Sequence, residues 1–240
     1  MPEKAPRAHG HSYTADEIRA LRAGLCRVDP ALVIANTVTP EFAWRSRPAG
    51  FAGLLRLVAE QQVSVASAAA IWKRIEEGLG SVTAATVLAA GEERMRTLGL
   101  SKPKARYAVE IARAEQEGRI DFASLADAGD DDAVAALTTL IGIGRWTAEA
   151  FLIGAYGRTD FFPAADIALQ EAVRIVDGLA VRPTEKELYA RAERWKPYRA
   201  VAAHLLWGFY TAMKTGAVNI TPPPVQSAPV AAPRAARKRR

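Results

Sequence analysis

Two glycines one residue apart, Gly142 and Gly144, sit inside the apolar run Leu140-Ile141-Gly142-Ile143-Gly144-Arg145-Trp146-Thr147-Ala148. Such a run does not continue a helix. Glycine supplies backbone conformations that other residues avoid, and without side chains the amides of the turn can approach an anion closely. Arg145 places a cation beside it. On the N-terminal side, Asp130, Asp131 and Asp132 stand where a helix start favours acids, and Val134, Leu137 and Leu140 follow at helical spacing up to a stop at Gly142. On the C-terminal side, Trp146, Ala150, Ile153 and Ala155 or Tyr156 give a second helix one apolar face, and Gly157 stops it. The expected unit is helix, hairpin, helix over about residues 130–157, although two close glycines are also compatible with a simple tight turn.

A second segment, Phe162-Pro163-Ala164-Ala165-Asp166, lies a helix length further on, with Asp166 22 residues after Gly144. Taken with the hairpin, it resembles the signature of the helix-hairpin-helix DNA glycosylase superfamily, in which an essential aspartate follows the hairpin. Three further segments resemble the DNA-3-methyladenine glycosylase II branch. They are Glu60-Gln61-Gln62-Val63-Ser64-Val65-Ala66, Gly99-Leu100-Ser101 with Lys104-Ala105, and Arg194-Trp195-Lys196-Pro197-Tyr198-Arg199 running on to Leu206-Trp207. The resemblance spans roughly residues 40 to 214 and implies an all-α fold of two helical lobes with the active site between them and no N-terminal sheet domain.

Punctuation along the rest of the chain agrees with helices throughout. Thr14-x-x-Glu17 and Thr184-x-x-Glu187 have the capping-box pattern, and Gly99 and Gly118 stop helices predicted over Glu92–Leu98 and Ser101–Glu117. A separate helix is predicted from Ser81 to Ala90, and Pro197 is expected to open the last long helix. Residues 30–50, rich in Pro, Thr and Arg, read as irregular. The domain reading is a flexible arm over 1–12, a helical domain over 13–218 and a disordered Pro-rich basic tail over 219–240.

Composition bounds the partners. Half of the residues are hydrophobic and about a quarter charged, as in an ordinary globular chain. Of the net charge of +6, +5 belongs to Arg234, Arg237, Lys238, Arg239 and Arg240, so a DNA-binding face on the body would have to be local. No stretch approaches the ~20 apolar residues of a membrane span, and no secretory signal pattern is visible, so no membrane partner and a cytoplasmic location are expected. Cys26 is the only cysteine, which excludes a four-cysteine iron–sulfur cluster held by this chain.

The resemblance also distributes roles. Asp166 stabilises the positive charge that develops on deoxyribose as a base leaves and can orient the attacking water; it reads equally as a helix N-cap, and the two are compatible. Trp146 and Trp207 match base-pocket positions, where aromatic faces favour a cationic alkylated purine. Gln62 sits at the wedge position that enters the DNA stack, or is a polar helix cap beside Gln61. Gly142, Ile143, Gly144 and Arg145 form the DNA-binding hairpin. The carbonyls of Thr138, Leu140 and Ile143 match positions that hold a sodium or potassium ion against a phosphate, with Ile141 replacing the usual proline; no other cofactor is required.

A lysine nucleophile would form a Schiff base and cut the strand. By the resemblance, Trp146 stands where bifunctional superfamily members keep that lysine, and residues 105–185 contain no lysine. The expectation is a monomeric, monofunctional glycosylase that flips alkylated purines such as 3-methyladenine and 7-methylguanine out of double-stranded DNA. The alternatives are a glycosylase for deaminated or oxidised bases and a non-catalytic helix-hairpin-helix DNA-binding module.

Overall fold

The computed structural model describes residues 13–218, so both the expected arm and the expected tail lie outside the described residues. Eleven α-helices fill the described part: α1 Ala15–Val28, α2 Val33–Val38, α3 Phe51–Glu60, α4 Val65–Leu79, α5 Ala84–Thr97, α6 Lys102–Gln116, α7 Asp130–Thr138, α8 Arg145–Tyr156, α9 Ile167–Val176, α10 Glu185–Ala192 and α11 Arg199–Lys214. Among the described residues there is no strand, as the patterning predicts. No helix there is long and apolar enough to cross a membrane.

The helices pack as two groups. α3 packs on α4, α6 and α8, α5 lies along α6, and α7 pairs with α8 to form one lobe. α1, α2 and α9 gather around α11 to form the other. One hydrophobic core runs through both. Its centre in the second lobe is Trp195, wholly buried, whose indole donates to Asp29 (2.8 Å) while its ring faces Phe162 at 5.0 Å. Burial of Asp29 is outweighed by the Trp195 hydrogen bond and the ion pair with Arg191, which hold its carboxyl below the usual range.

Local chemistry sets most boundaries. Both capping boxes form, Thr14 with Glu17 and Thr184 with Glu187. Four boundaries differ from the reading of the sequence. α7 ends at Thr138 rather than running to Gly142, because Thr139 and Leu140 already bond back to Ala136 and Leu137 in tighter turns. The two helices expected around residue 90 form one run, broken at Gly91 with φ 68°. The last helix begins at Arg199, after Tyr198 takes a non-helical φ of −108°. Within 30–50, Pro30–Leu32 form a 3-10 turn that leads into α2, with Leu32 of the turn and Ala35 of the helix fully buried. No side chain caps α2; packing against α11 holds it instead.

Candidate active site

The hairpin between α7 and α8 is a tight turn in which the Ile143 N–H donates to the Leu140 carbonyl (3.1 Å) and Gly142 takes φ 80°. Positive φ at that position favours glycine. A second constraint is steric, since a Cβ on Gly142 would lie 2.3 Å from the Tyr107 ring of α6. Ile141 is exposed on the turn, whereas Ile143 is buried beneath it.

A second turn, between α3 and α4, has related geometry. Gln61 has φ −57° and ψ 131°, and Gln62 has φ 55°, values typical of the centre of a type II turn. Gln62 is the one described non-glycine residue with positive φ, and it is exposed. Val65, the first residue of α4, is 89% exposed beside this turn. Two anchors fix the turn. Lys104 Nζ donates to the carbonyls of Ala59 (2.9 Å) and Gln61 (2.5 Å), and the Gln61 side-chain amide donates to Thr147 Oγ1 (3.1 Å) and the Gly142 carbonyl (3.4 Å). Burial lowers the Lys104 pKa. The Gln62 turn and the hairpin are therefore joined directly, through a residue that the sequence reading left without a role.

Asp166 caps α9 and faces the first lobe. Its Oδ1 accepts from the backbone N–H groups of Ala168 (2.8 Å) and Leu169 (3.1 Å), and its Oδ2 accepts from the Trp146 indole N–H (3.3 Å). The cap and the candidate catalytic group are thus one side chain, and Trp146 reaches it from α8 across the lobe boundary. Both carboxylate oxygens are oriented, and the group remains partly open to solvent. Ile167, 64% exposed, stands next to it.

Trp207 is buried on α11, with the Arg45 guanidinium over its ring at 4.7 Å from the centroid. His204, one turn earlier, is entirely inside, stacked on Trp44 at 4.0 Å. Desolvation lowers its pKa to about 4, so the ring is neutral at pH 7, with Nδ1 against the Ala200 carbonyl (2.8 Å) and Nε2 accepting from the Arg45 N–H (3.1 Å).

Arg145 is more constrained than a free cation. Its Nε donates to buried Glu149 (2.9 Å), its guanidinium lies over the Tyr189 ring at 4.6 Å, and the Tyr189 hydroxyl donates to the other Glu149 oxygen (2.9 Å). Burial pushes the Glu149 carboxyl up, against the pull of Arg145 and Tyr189. The Arg145 side chain is still 60% exposed, beside the hairpin. Of the three candidate ion-binding carbonyls, that of Leu140 accepts the Ile143 N–H, while those of Thr138 and Ile143 accept no backbone N–H of the turn. Neutral oxygens at the negative end of α7 suit a hard monovalent cation.

A hairpin between two helices, followed by an aspartate that caps the next helix and meets a tryptophan of the hairpin's second helix, defines the helix-hairpin-helix class of glycosylase folds. Residues 55–197 match the HhH-GPD superfamily base excision DNA repair protein family, and the chain belongs to that family, in its alkyl-base branch. It is 32% identical over 158 residues to DNA-3-methyladenine glycosylase 1 of Schizosaccharomyces pombe, covering 64% of this chain and 69% of that protein. To DNA-3-methyladenine glycosylase 2 of Escherichia coli it is 28% identical, covering 64% and 55%. The crystal structure of a DNA-3-methyladenine glycosidase from Bacillus halodurans superposes with a TM-score of 0.73 at 27% identity, over 85% of this chain and 94% of that one. The chain spans well under two thirds of several curated relatives, 39% in the case of one from Bacillus subtilis.

Proposed function

We propose that this protein is a monofunctional DNA glycosylase that removes alkylated purines from double-stranded DNA and leaves an unbroken abasic strand. The observation that carries the reading is the doubly oriented carboxylate of Asp166, held by two backbone N–H groups and the Trp146 indole at the lobe boundary. Breaking the bond between sugar and base leaves positive charge on the deoxyribose, and a fixed anion there needs no reorganisation as that charge develops. The bond's electron pair departs with the base, a water oxygen bonds to C1′, and Asp166 orients that water, whose released proton passes to the carboxylate or to solvent.

DNA is engaged, in this reading, by the hairpin amides, by Arg145 braced on Glu149, and by Gln62 entering the stack as the target base swings out. The Thr138, Leu140 and Ile143 carbonyls would hold a sodium or potassium ion, which would supply positive charge against a phosphate. Trp146 fills the place where a Schiff-base lysine would stand, which supports chemistry without strand cleavage. The Schizosaccharomyces pombe relative was solved in complex with abasic DNA, the product such a reaction leaves. The enzyme is expected to act as a monomer.

The test is release of purines from dimethyl-sulfate-treated duplex DNA by wild type and Asp166→Asn, with products identified by mass. Asparagine still caps a helix, so stability is expected to hold within about 1 kcal/mol while release falls at least ~100-fold. Release of 3-methyladenine with intact strands supports the reading. Equal release by both proteins removes Asp166 from the chemistry, and nicked strands remove the monofunctional reading.

A further inference from the structure

Glu149 is a buried carboxylate that the chemistry at Asp166 does not use. It lies on α8, 1% exposed, and each of its oxygens serves a different element. Oε1 accepts from Arg145 Nε one turn earlier on the same helix, and Oε2 accepts from the Tyr189 hydroxyl of α10. The Arg145 guanidinium lies over the Tyr189 ring, so the three side chains close a circuit. As a source of stability the arrangement is poor. Withdrawing a carboxylate from water is costly, and the Arg145 side chain is exposed enough for solvent to screen the attraction that would offset that cost. As a holder it is well made. Glu149 and the ring restrain the guanidinium from two sides, and the Glu149 bond uses Nε, leaving Nη1 and Nη2 as the end of the fork. The backbone beside that fork is open. Gly144, just before Arg145, has φ −86° and ψ 173°, which any residue adopts, and a Cβ there would meet nothing within 4 Å. In contrast to Gly142, neither backbone nor packing requires glycine at this position; a side chain would only fill the space in front of the turn.

We infer that Glu149 is a positioning residue for DNA binding: with Tyr189, and acting through Arg145, it holds a two-nitrogen fork ready for one backbone phosphate in the space before Gly144. For its ligand, duplex DNA, the inference rests on the glycosylase reading. A planar fork matches two phosphate oxygens at once, which a loose cation does not. A free arginine side chain also loses rotamer freedom when it grips a phosphate, and a brace already in place removes that cost. A carboxylate close to the DNA-binding hairpin therefore strengthens binding, against the sign of its own charge.

The test measures affinity for a fluorescein-labelled duplex carrying one tetrahydrofuran abasic site, by anisotropy over a range of NaCl concentrations. Stoichiometric titration fixes the binding-competent fraction of each preparation, so unfolded protein does not enter the comparison. Arg145→Ala is expected to weaken binding about ten-fold and to lower the salt slope by about one. Glu149→Met fills the same space without a carboxylate and makes the protein one charge more positive, which by charge alone would tighten binding. The expected result is instead a loss of about five-fold, as the fork is released. Glu149→Gln keeps an oxygen for Arg145 and should recover most of that loss. Tyr189→Phe leaves the buried carboxylate in place, removes the hydroxyl that holds it, and should weaken binding about two-fold. In the Arg145→Ala background Glu149→Met should cost nothing further. Unchanged or tighter binding by Glu149→Met and Tyr189→Phe overturns the inference. So does an equal loss in the Arg145→Ala background, which would make the effect one of the fold. Both outcomes leave the glycosylase reading standing, whereas wild type that does not bind the duplex overturns both.

Discussion

The hairpin turn and the Gln62 turn solve the same backbone problem with different residues. Each places its third residue at positive φ, Gly142 at 80° and Gln62 at 55°. Gly142 lies against the Tyr107 ring with no room for a side chain, and glycine removes both strain and clash. Gln62 keeps a long polar side chain in a conformation that costs roughly 1–2 kcal/mol, and it is exposed, so packing returns none of that cost. In the proposed reading, this molecule accepts strain at a side chain that enters the DNA stack, held by anchors beneath, and not at a turn whose backbone would be the functional group.

Gly142→Ala should produce the largest change. The substitution combines a left-handed backbone with a Cβ inside the Tyr107 ring contact, and should cost about 3 to 4 kcal/mol in denaturant unfolding. A loss under about 1 kcal/mol would mean that the hairpin relaxes easily and that the contrast between the turns is empty. Lys104→Met tests the anchors. It removes two hydrogen bonds to carbonyls at the end of α3 and should cost about 2 kcal/mol, with faster amide exchange confined to residues 59–64 if the anchor is local. Gln62→Gly is the smallest and has the opposite sign. It should raise stability by about 1 kcal/mol while lowering base release, because the strain disappears together with the side chain. Greater stability with undiminished release would reduce Gln62 to a turn residue.

What the sequence made legible follows the range of the interactions. Gly142 could be read because its requirement is local, and so could the capping boxes at Thr14 and Thr184. Asp166 was legible as a cap by its position, and the resemblance made the same side chain the candidate carboxylate of the site. α2 was missed because its helicity comes from burying Leu32 and Ala35, while Val33, Ile34 and Thr37 read as poor helix formers. Arg45 and His204 were missed for the same kind of reason. They meet across 159 positions of sequence, and neither stands in a motif with its partner. Lys104 stood inside a quoted motif, but only the fold shows that its amine holds the chain around Gln61. Arg145 was read as a cation beside the hairpin, yet the brace of Glu149 and Tyr189 needed α10 to be in place.

The bonds from Gln61 to Gly142 and Thr147 make a caliper of the two turns. Its jaws are set before any nucleic acid arrives. In the proposed reading, a duplex gripped at the phosphate by one jaw and opened by the other cannot call on the protein to adjust the gap, so the bending must come from the DNA. Flexible steps and weakly stacked lesions bend at less cost than sound, stiff duplex. Mechanical compliance of the substrate would then be sorted first, and the chemistry of the base second.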